Sequence, residues 1–107
     1  MSVVDNFEAM LERGQDSALL RYSLGNEYLK MEKFDKAIHH LAEAVRLDSG
    51  YSAAWKLYGR ALASVDRQQD AIQAFSRGIR AAEEKGDLQA AKEMRVFRKR
   101  CEKTIDA

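Results

Sequence analysis

One unit of sequence occurs twice in this chain. Leu24, Gly25, Tyr28, Ala37, Leu41 and Ala44 return 34 positions later as Tyr58, Gly59, Leu62, Ala71, Phe75 and Gly78. The second copy also carries Trp55, three residues before Tyr58. A period of this length marks a solenoid, in which a unit cannot bury its apolar face without its neighbour. Gly25 and Gly59 sit inside helical patterns, where glycine costs about 1 kcal/mol against alanine. They are expected to be points of close helix–helix approach, in register with Ala37 and Ala71. Tyr28, Leu41, Trp55 and Phe75 are the bulky residues expected to fill the remaining space.

Apolar spacing places six helices. Val3–Glu12 has one face of Val3, Val4, Phe7, Met10 and Leu11, with Asp5, Glu8 and Glu12 opposite. Asp5 suits the positive end of that helix, and Gly14 ends it. Asp16 or Ser17 caps a second helix over 17–30, whose core line is Leu20, Leu24 and Tyr28. After a turn at 31–33, Phe34–Leu47 turns Phe34, Ala37, Ile38, Leu41, Ala44 and Val45 inward. The second unit pairs a helix at 51–64 with one at 68–84, and the short link at 65–67 requires antiparallel neighbours. Gly86 stops the chain and Asp87 opens a last helix to about 103. Its apolar face is read as Leu88, Ala91, Met94, Phe97 or Val96, Cys101 and Ile105; Lys92, Arg95, Lys99, Arg100 and Lys103 face away. Strand signals are weak, and the chain has no proline to interrupt a helix.

Charge narrows the functions. Lys and Arg number 18 against 17 Asp and Glu, a formal net charge of +1, which argues against a general nucleic-acid binder. The single cysteine, Cys101, has no internal disulfide partner and fits a reducing compartment. No basic leader pattern stands at the start, and no apolar run approaches a membrane span, so a cytoplasmic protein without membrane association is expected.

The run Trp55-x2-Tyr58-Gly59-x2-Leu62, then Ala71-x3-Phe75-x2-Gly78, resembles the tetratricopeptide repeat, as does Leu24-Gly25-x2-Tyr28, then Ala37-x3-Leu41-x2-Ala44. The resemblance implies an all-α fold of antiparallel helix pairs stacked into a short right-handed superhelix. One domain is expected over 1–107: an N-terminal capping helix within 1–16, repeats at 18–51 and 52–85, and a C-terminal capping helix within 86–107. Ser49 stands where the family usually has proline.

The resemblance also implies a concave groove, lined by the first helix of each pair, for an extended peptide or partner helix. By position its residues are Leu19, Tyr22, Asn26, Leu29 and Lys30, then Ala53, Lys56, Arg60, Ala63 and Ser64, with Ala90, Met94 and Arg98 added by the last helix. Lys and Arg there suit a ligand of acidic character. Some members clamp a terminal carboxylate with Lys, Asn, Asn, Lys and Arg. Here Asn26 matches, but Tyr22, Leu57, Asp87 and Ala91 stand at the other positions. The function implied is a protein-interaction adaptor with a protein or peptide ligand. The alternative is a structural protein that self-associates as a homodimer through Phe7 or Phe97.

Catalysis has no visible basis: no nucleophile, base and orienting group stand at interpretable positions, so no enzyme and no cofactor are expected. His39 and His40 point about 100° apart on a helix and share no metal site. His40 is expected at the surface and His39 partly packed. Cys101 reads as a small hydrophobe.

Overall fold

The computed structural model describes residues 2–107. Among these the chain forms α1 (Val3–Glu12), α2 (Ala18–Lys30), α3 (Phe34–Leu47), α4 (Ser52–Ser64), α5 (Gln68–Lys85) and α6 (Leu88–Asp106), with no strand. Polar side chains set three of the starts. Ser2 and Asp5 form a reciprocal capping box on α1, Ser17 accepts from Leu20 N–H, and Asp87 accepts from Ala90 N–H. Gly86 ends α5 with φ of 75°, a left-handed conformation that glycine adopts without strain. No helix among the described residues is long and apolar enough to cross a membrane.

The two helix pairs close on their glycines. The side chain of Leu41 lies directly over Gly25, and the Phe75 ring covers Gly59. A methyl group on Gly59 would come within 2.5 Å of the Phe75 ring. The residue resting on each glycine is therefore the bulky one four positions beyond Ala37 or Ala71, rather than the alanine itself. Gly78 repeats the device one step further on: its free face is filled by Met94 of α6 and the Cβ of Trp55. Trp55, Ala71, Phe75, Met94 and Cys101 belong to one buried cluster; Leu20, Leu24, Tyr28, Leu41 and Leu57 belong to another, against which Val4, Phe7, Met10 and Leu11 of α1 pack. The Trp55 indole N–H donates to the Ser49 carbonyl at 2.8 Å. This bond fastens the loop between units where the family usually has proline.

Helix α6 departs from its sequence reading at both ends. Ala91, Met94 and Cys101 are buried, and Phe97, not Val96, packs inward. Leu88 and Ile105 are exposed. With Met94 over Gly78 and Phe97 on Phe75, the antiparallel register sets Leu88 opposite the polar last turn of α5 and Ile105 opposite its polar first turn.

The histidines reverse their expected places: His40 is buried and His39 exposed. The cause lies on the neighbouring helices: Arg21 and Tyr28 of α2, and Glu8 reaching across from α1, which packs on α2, close over the His40 imidazole. Glu8 of α1 lies 3.4 Å from His40 Nε2 and accepts a hydrogen bond from the Tyr28 hydroxyl at 2.9 Å. Arg21 is held by Asp16 and sets its Nη1 3.2 Å from His40 Nδ1. A guanidinium only donates, so Nδ1 accepts and the ring proton sits on Nε2, facing Glu8. The Tyr28 ring stacks on the imidazole with centroids 5.6 Å apart.

Two outcomes follow from this packing. Gly59→Ala should lower stability by about 1–3 kcal/mol by overpacking against Phe75, even after the gain in helix propensity; an unchanged urea midpoint would contradict the close approach. The second outcome is pH dependence. Burial, chiefly, holds the His40 imidazole below its ordinary value, with Arg21 and His39 acting in the same direction and Glu8 opposing them. The unfolded chain then binds the extra proton first. Stability should be complete above about pH 6.5 and fall as pH drops through the lower folded value. Urea midpoints between pH 8 and 5 should show this decline, and His40→Gln should flatten it. An equal decline in His40→Gln would assign the acid sensitivity elsewhere.

Candidate functional site

Helices α2, α4 and α6 lie side by side, with α3 and α5 behind them. Their shared outer side is the concave face. On α2, Leu19 is 64% exposed, and Tyr22 is half-buried with its ring stacked on Tyr51 at 4.9 Å. Asn26 and Leu29 are half-buried, while Lys30 is exposed and paired with Glu27. On α4, Ala53, Lys56 and Ala63 are half-buried, and Arg60 and Ser64 are exposed.

Two residues expected in the groove are elsewhere. Met94 is fully buried over Gly78, and Arg98 turns to α5, where its guanidinium donates to the Ser76 hydroxyl at 3.1 Å. Stepping four residues at a time along α6, from Ala90 to 94 and 98, advances 40° per step around a helix with 3.6 residues per turn. That walk leaves the groove. The stripe that stays on the concave face runs through Glu93, Phe97, Arg100, Cys101 and Thr104. Helical periodicity alone was enough to find it once the register of one residue was known.

These residues enclose a slot. Leu29 of α2, Arg60, Ala63 and Ser64 of α4, Gln68 and Phe75 of α5, and Phe97, Arg100, Cys101 and Thr104 of α6 line a cavity of about 280 Å³. Phe75 and Cys101 are buried and form its floor, while Arg60, Ser64, Arg100 and Thr104 are exposed and form its rim. Phe97 stacks on Phe75 with ring centroids 5.7 Å apart. The guanidinium carbons of Arg60 and Arg100 lie 5.5 and 5.6 Å from the centre of the Phe97 ring. The Ser64 and Thr104 hydroxyls donate to the carbonyls of Arg60 and Arg100, each at 2.9 Å, which leaves their lone pairs to accept.

Charge on this face is unevenly used. Lys30 pairs with Glu27, and Lys56 reaches Glu93 of α6 at 3.7 Å. Lys56 is therefore already paired within the groove wall. Arg60 has Arg100 as its neighbour on Phe97 instead, and neither arginine has an acidic partner among the described residues. Burial pushes the Cys101 thiol above its ordinary range, and Glu102 adds to the effect. No group of three or more His, Cys, Asp or Glu among the described residues is placed to hold a metal ion.

Stacked antiparallel pairs with an open concave face define a helical-repeat scaffold of the kind that mediates protein–protein interaction. The chain belongs to the tetratricopeptide repeat family, whose model matches residues 22–85. It is 42% identical over 95 residues to TPR repeat-containing protein PA0015 of Pseudomonas aeruginosa, a match covering 89% of this chain and 90% of that protein. Its fold matches the solution structure of protein BPP2914 from Bordetella parapertussis with a TM-score of 0.82 and 39% identity, over 97% of this chain and 90% of that one. The TPR2B domain of yeast Sti1, solved in complex with pHsp70, shares the fold at a TM-score of 0.87 and 17% identity, over 94% of this chain and 81% of that one.

A thiol on the floor of the slot, with its ionisation suppressed, should react slowly. Native protein should be modified by a disulfide reagent at pH 7.5 at least tenfold more slowly than the urea-unfolded chain. Equal rates would mean that Cys101 is open to solvent.

Proposed function

We propose that this protein is an interaction adaptor whose concave face binds a peptide or helical segment of acidic character. The observation that carries this reading is the pair of arginines, Arg60 and Arg100, standing without acidic partners beside an aromatic ring on a face where the other cations are paired. Guanidinium groups bond carboxylates in a charge-assisted, two-pronged way, and an apolar wall beside them adds contact area. Tyr22, Leu19 and Leu29 extend an apolar track along α2 for side-chain anchors. The yeast domain of the same fold, solved in complex with pHsp70, supports a protein ligand for this fold. Three short concave helices offer a small surface, so affinity should be modest, about micromolar. The reading places the protein among reducing, cytoplasmic scaffolds rather than enzymes.

The test is capture of the natural partner, followed by titration with variants of intact helicity. Arg60→Glu and Tyr22→Ala should each weaken binding about tenfold or more, and Arg60→Glu should also remove much of its salt dependence. Lys36→Glu, on α3 and remote from the slot, should change affinity less than twofold. Loss of binding in Lys36→Glu with both groove variants unaffected would move the site off the concave face.

A further inference from the structure

We infer that this chain associates with itself head to tail, the outer face of α1 in one copy packing antiparallel on the outer face of α6 in the next, so that the helix stack continues from copy to copy. The inference goes beyond the groove reading and uses none of its residues.

Pairing leaves one helix over at each end. Helices α2 with α3 and α4 with α5 form the two pairs; α1 packs on α2, with Glu8 reaching His40, and α6 packs on α5 and α4. Each flanking helix buries one side, through Val4, Phe7 and Leu11 on α1 and Ala91, Met94 and Cys101 on α6, and turns the other outward. In a stack whose successive helices alternate in direction, the place after α6 belongs to a helix that runs as α1 does.

The two outward sides match in spacing and oppose in charge. On α1, Asp5, Ala9 and Glu12 stand at i, i+4 and i+7, which is one side of a helix; Asp5 and Glu12 are exposed and Ala9 is half-buried. On α6 the same interval gives Lys92, Val96 and Lys99, all exposed, with Lys103 next on the stripe. None of these three lysines has an acidic partner among the described residues, and Glu12 has no basic one. The two charges of each triplet lie about 10.5 Å apart along the helix axis. Antiparallel packing therefore sets Glu12 by Lys92 and Asp5 by Lys99 at once. Val96, 47% exposed, then meets Ala9, whose single methyl group lets the two helices approach. The opposing charges on these faces, Arg13, Glu102 and Asp106, lie beside or beyond the triplets rather than within them. The ends of the chain agree as wholes: residues 1–17 hold four acids and one base, and 86–107 hold six bases and four acids. A flat anionic surface would also draw the lysines, but it would make no use of the interval that the two helices share.

The contact is heterologous, with α1 of one copy on α6 of the other. It leaves a free α1 and a free α6 on every assembly, so growth is open-ended. Phe97 and Arg100 face the groove and not this stripe, so the concave face stays open and runs on into the next copy. A single short helix makes a small contact, so association should be weak, and exposed ion pairs make it sensitive to salt.

Sedimentation velocity of the full chain at low salt, from about 10 μM to about 1 mM, reads this association. The weight-average mass should climb with concentration past that of a dimer, and about 0.5 M NaCl should return it to the monomer. Glu12→Lys puts a base in the last turn of α1, which the helix dipole favours, and Lys92→Glu changes an exposed residue of α6, so both variants should keep wild-type helicity. Each variant alone should stay monomeric at concentrations where the wild type associates. An equimolar mixture of the two should associate again, because every α1–α6 contact between unlike copies then joins opposite charges. Wild-type protein that stays monomeric throughout would overturn the inference and leave the basic stripe to a different, acidic partner. A mass that levels off at a dimer would overturn the open-ended contact in favour of a two-fold one through Phe7 or Phe97. Association that survives in either variant, or that fails to return on mixing, would overturn the pairing of α1 with α6.

Discussion

Everything in this structure depends on a side chain resting where a Cβ would otherwise be. Leu41 lies on Gly25, Phe75 on Gly59, and Met94 on Gly78. The first two contacts lock the helices of each pair against one another. The third joins the second pair to the last helix, because Gly78 of α5 receives Met94 of α6 beside the Trp55 Cβ of α4. Each glycine costs helix propensity, and the close approach it permits returns more through dispersion and burial of large side chains. Phe75 carries the second of these contacts on to α6. It covers Gly59, stacks on Phe97, and supplies the floor of the slot. The stability of the second unit and the shape of the candidate site therefore share one side chain.

The concave face is a consequence of that stacking. Met94 fixes the rotation of α6 about its own axis, and with it the stripe that reaches solvent beside α4. Once Met94 is buried, Phe97 and Arg100 must face the groove and Arg98 must face Ser76. Small residues on the facing turns, Ala63 and Ser64 on α4 and Cys101 on α6, leave the space that the slot occupies. Charge then divides this face. Glu93 neutralises Lys56 within the wall, and Arg60 and Arg100 remain beside Phe97 without an acidic partner among the described residues.

The N-terminal helix adds a polar device to an apolar stack. Glu8, Tyr28, Arg21, Asp16 and His40 join α1, the following loop, α2 and α3 through directional bonds. Apolar contacts from Phe7 and Leu11 supply area, and the network supplies orientation. Tyr28, whose hydroxyl is pushed up to about 12 by burial and by Glu8, stays protonated as a donor throughout the ordinary pH range. No side-chain nitrogen or oxygen buried in the described structure lacks a partner, which is the condition under which such a network orients without costing stability.

The sequence by itself determined the repeat and most of the helix boundaries. A 34-residue recurrence of glycines, alanines and aromatics needs no tertiary information, since each residue type states its own local requirement for space. Gly86 and Asp87 likewise announced a stop and a start, because capping is a matter of neighbouring atoms. The membership of Leu29, Arg60, Ala63 and Ser64 in the slot wall was also legible, because the repeat resemblance fixes which side of α2 and α4 turns outward. What tertiary structure decided was rotation and cover. The rotation of α6 depends on a contact between Met94 and Gly78, sixteen residues apart in the chain, and that contact rather than any local pattern turned Met94 and Arg98 away from the groove and Phe97 and Arg100 into it. The burial of His40 depends on side chains from other helices, Arg21 and Tyr28 of α2 and Glu8 of α1, contacts that its own neighbourhood does not encode. Local chemistry specifies where helices begin, end and approach; which face of each meets water is settled only when all of them are packed.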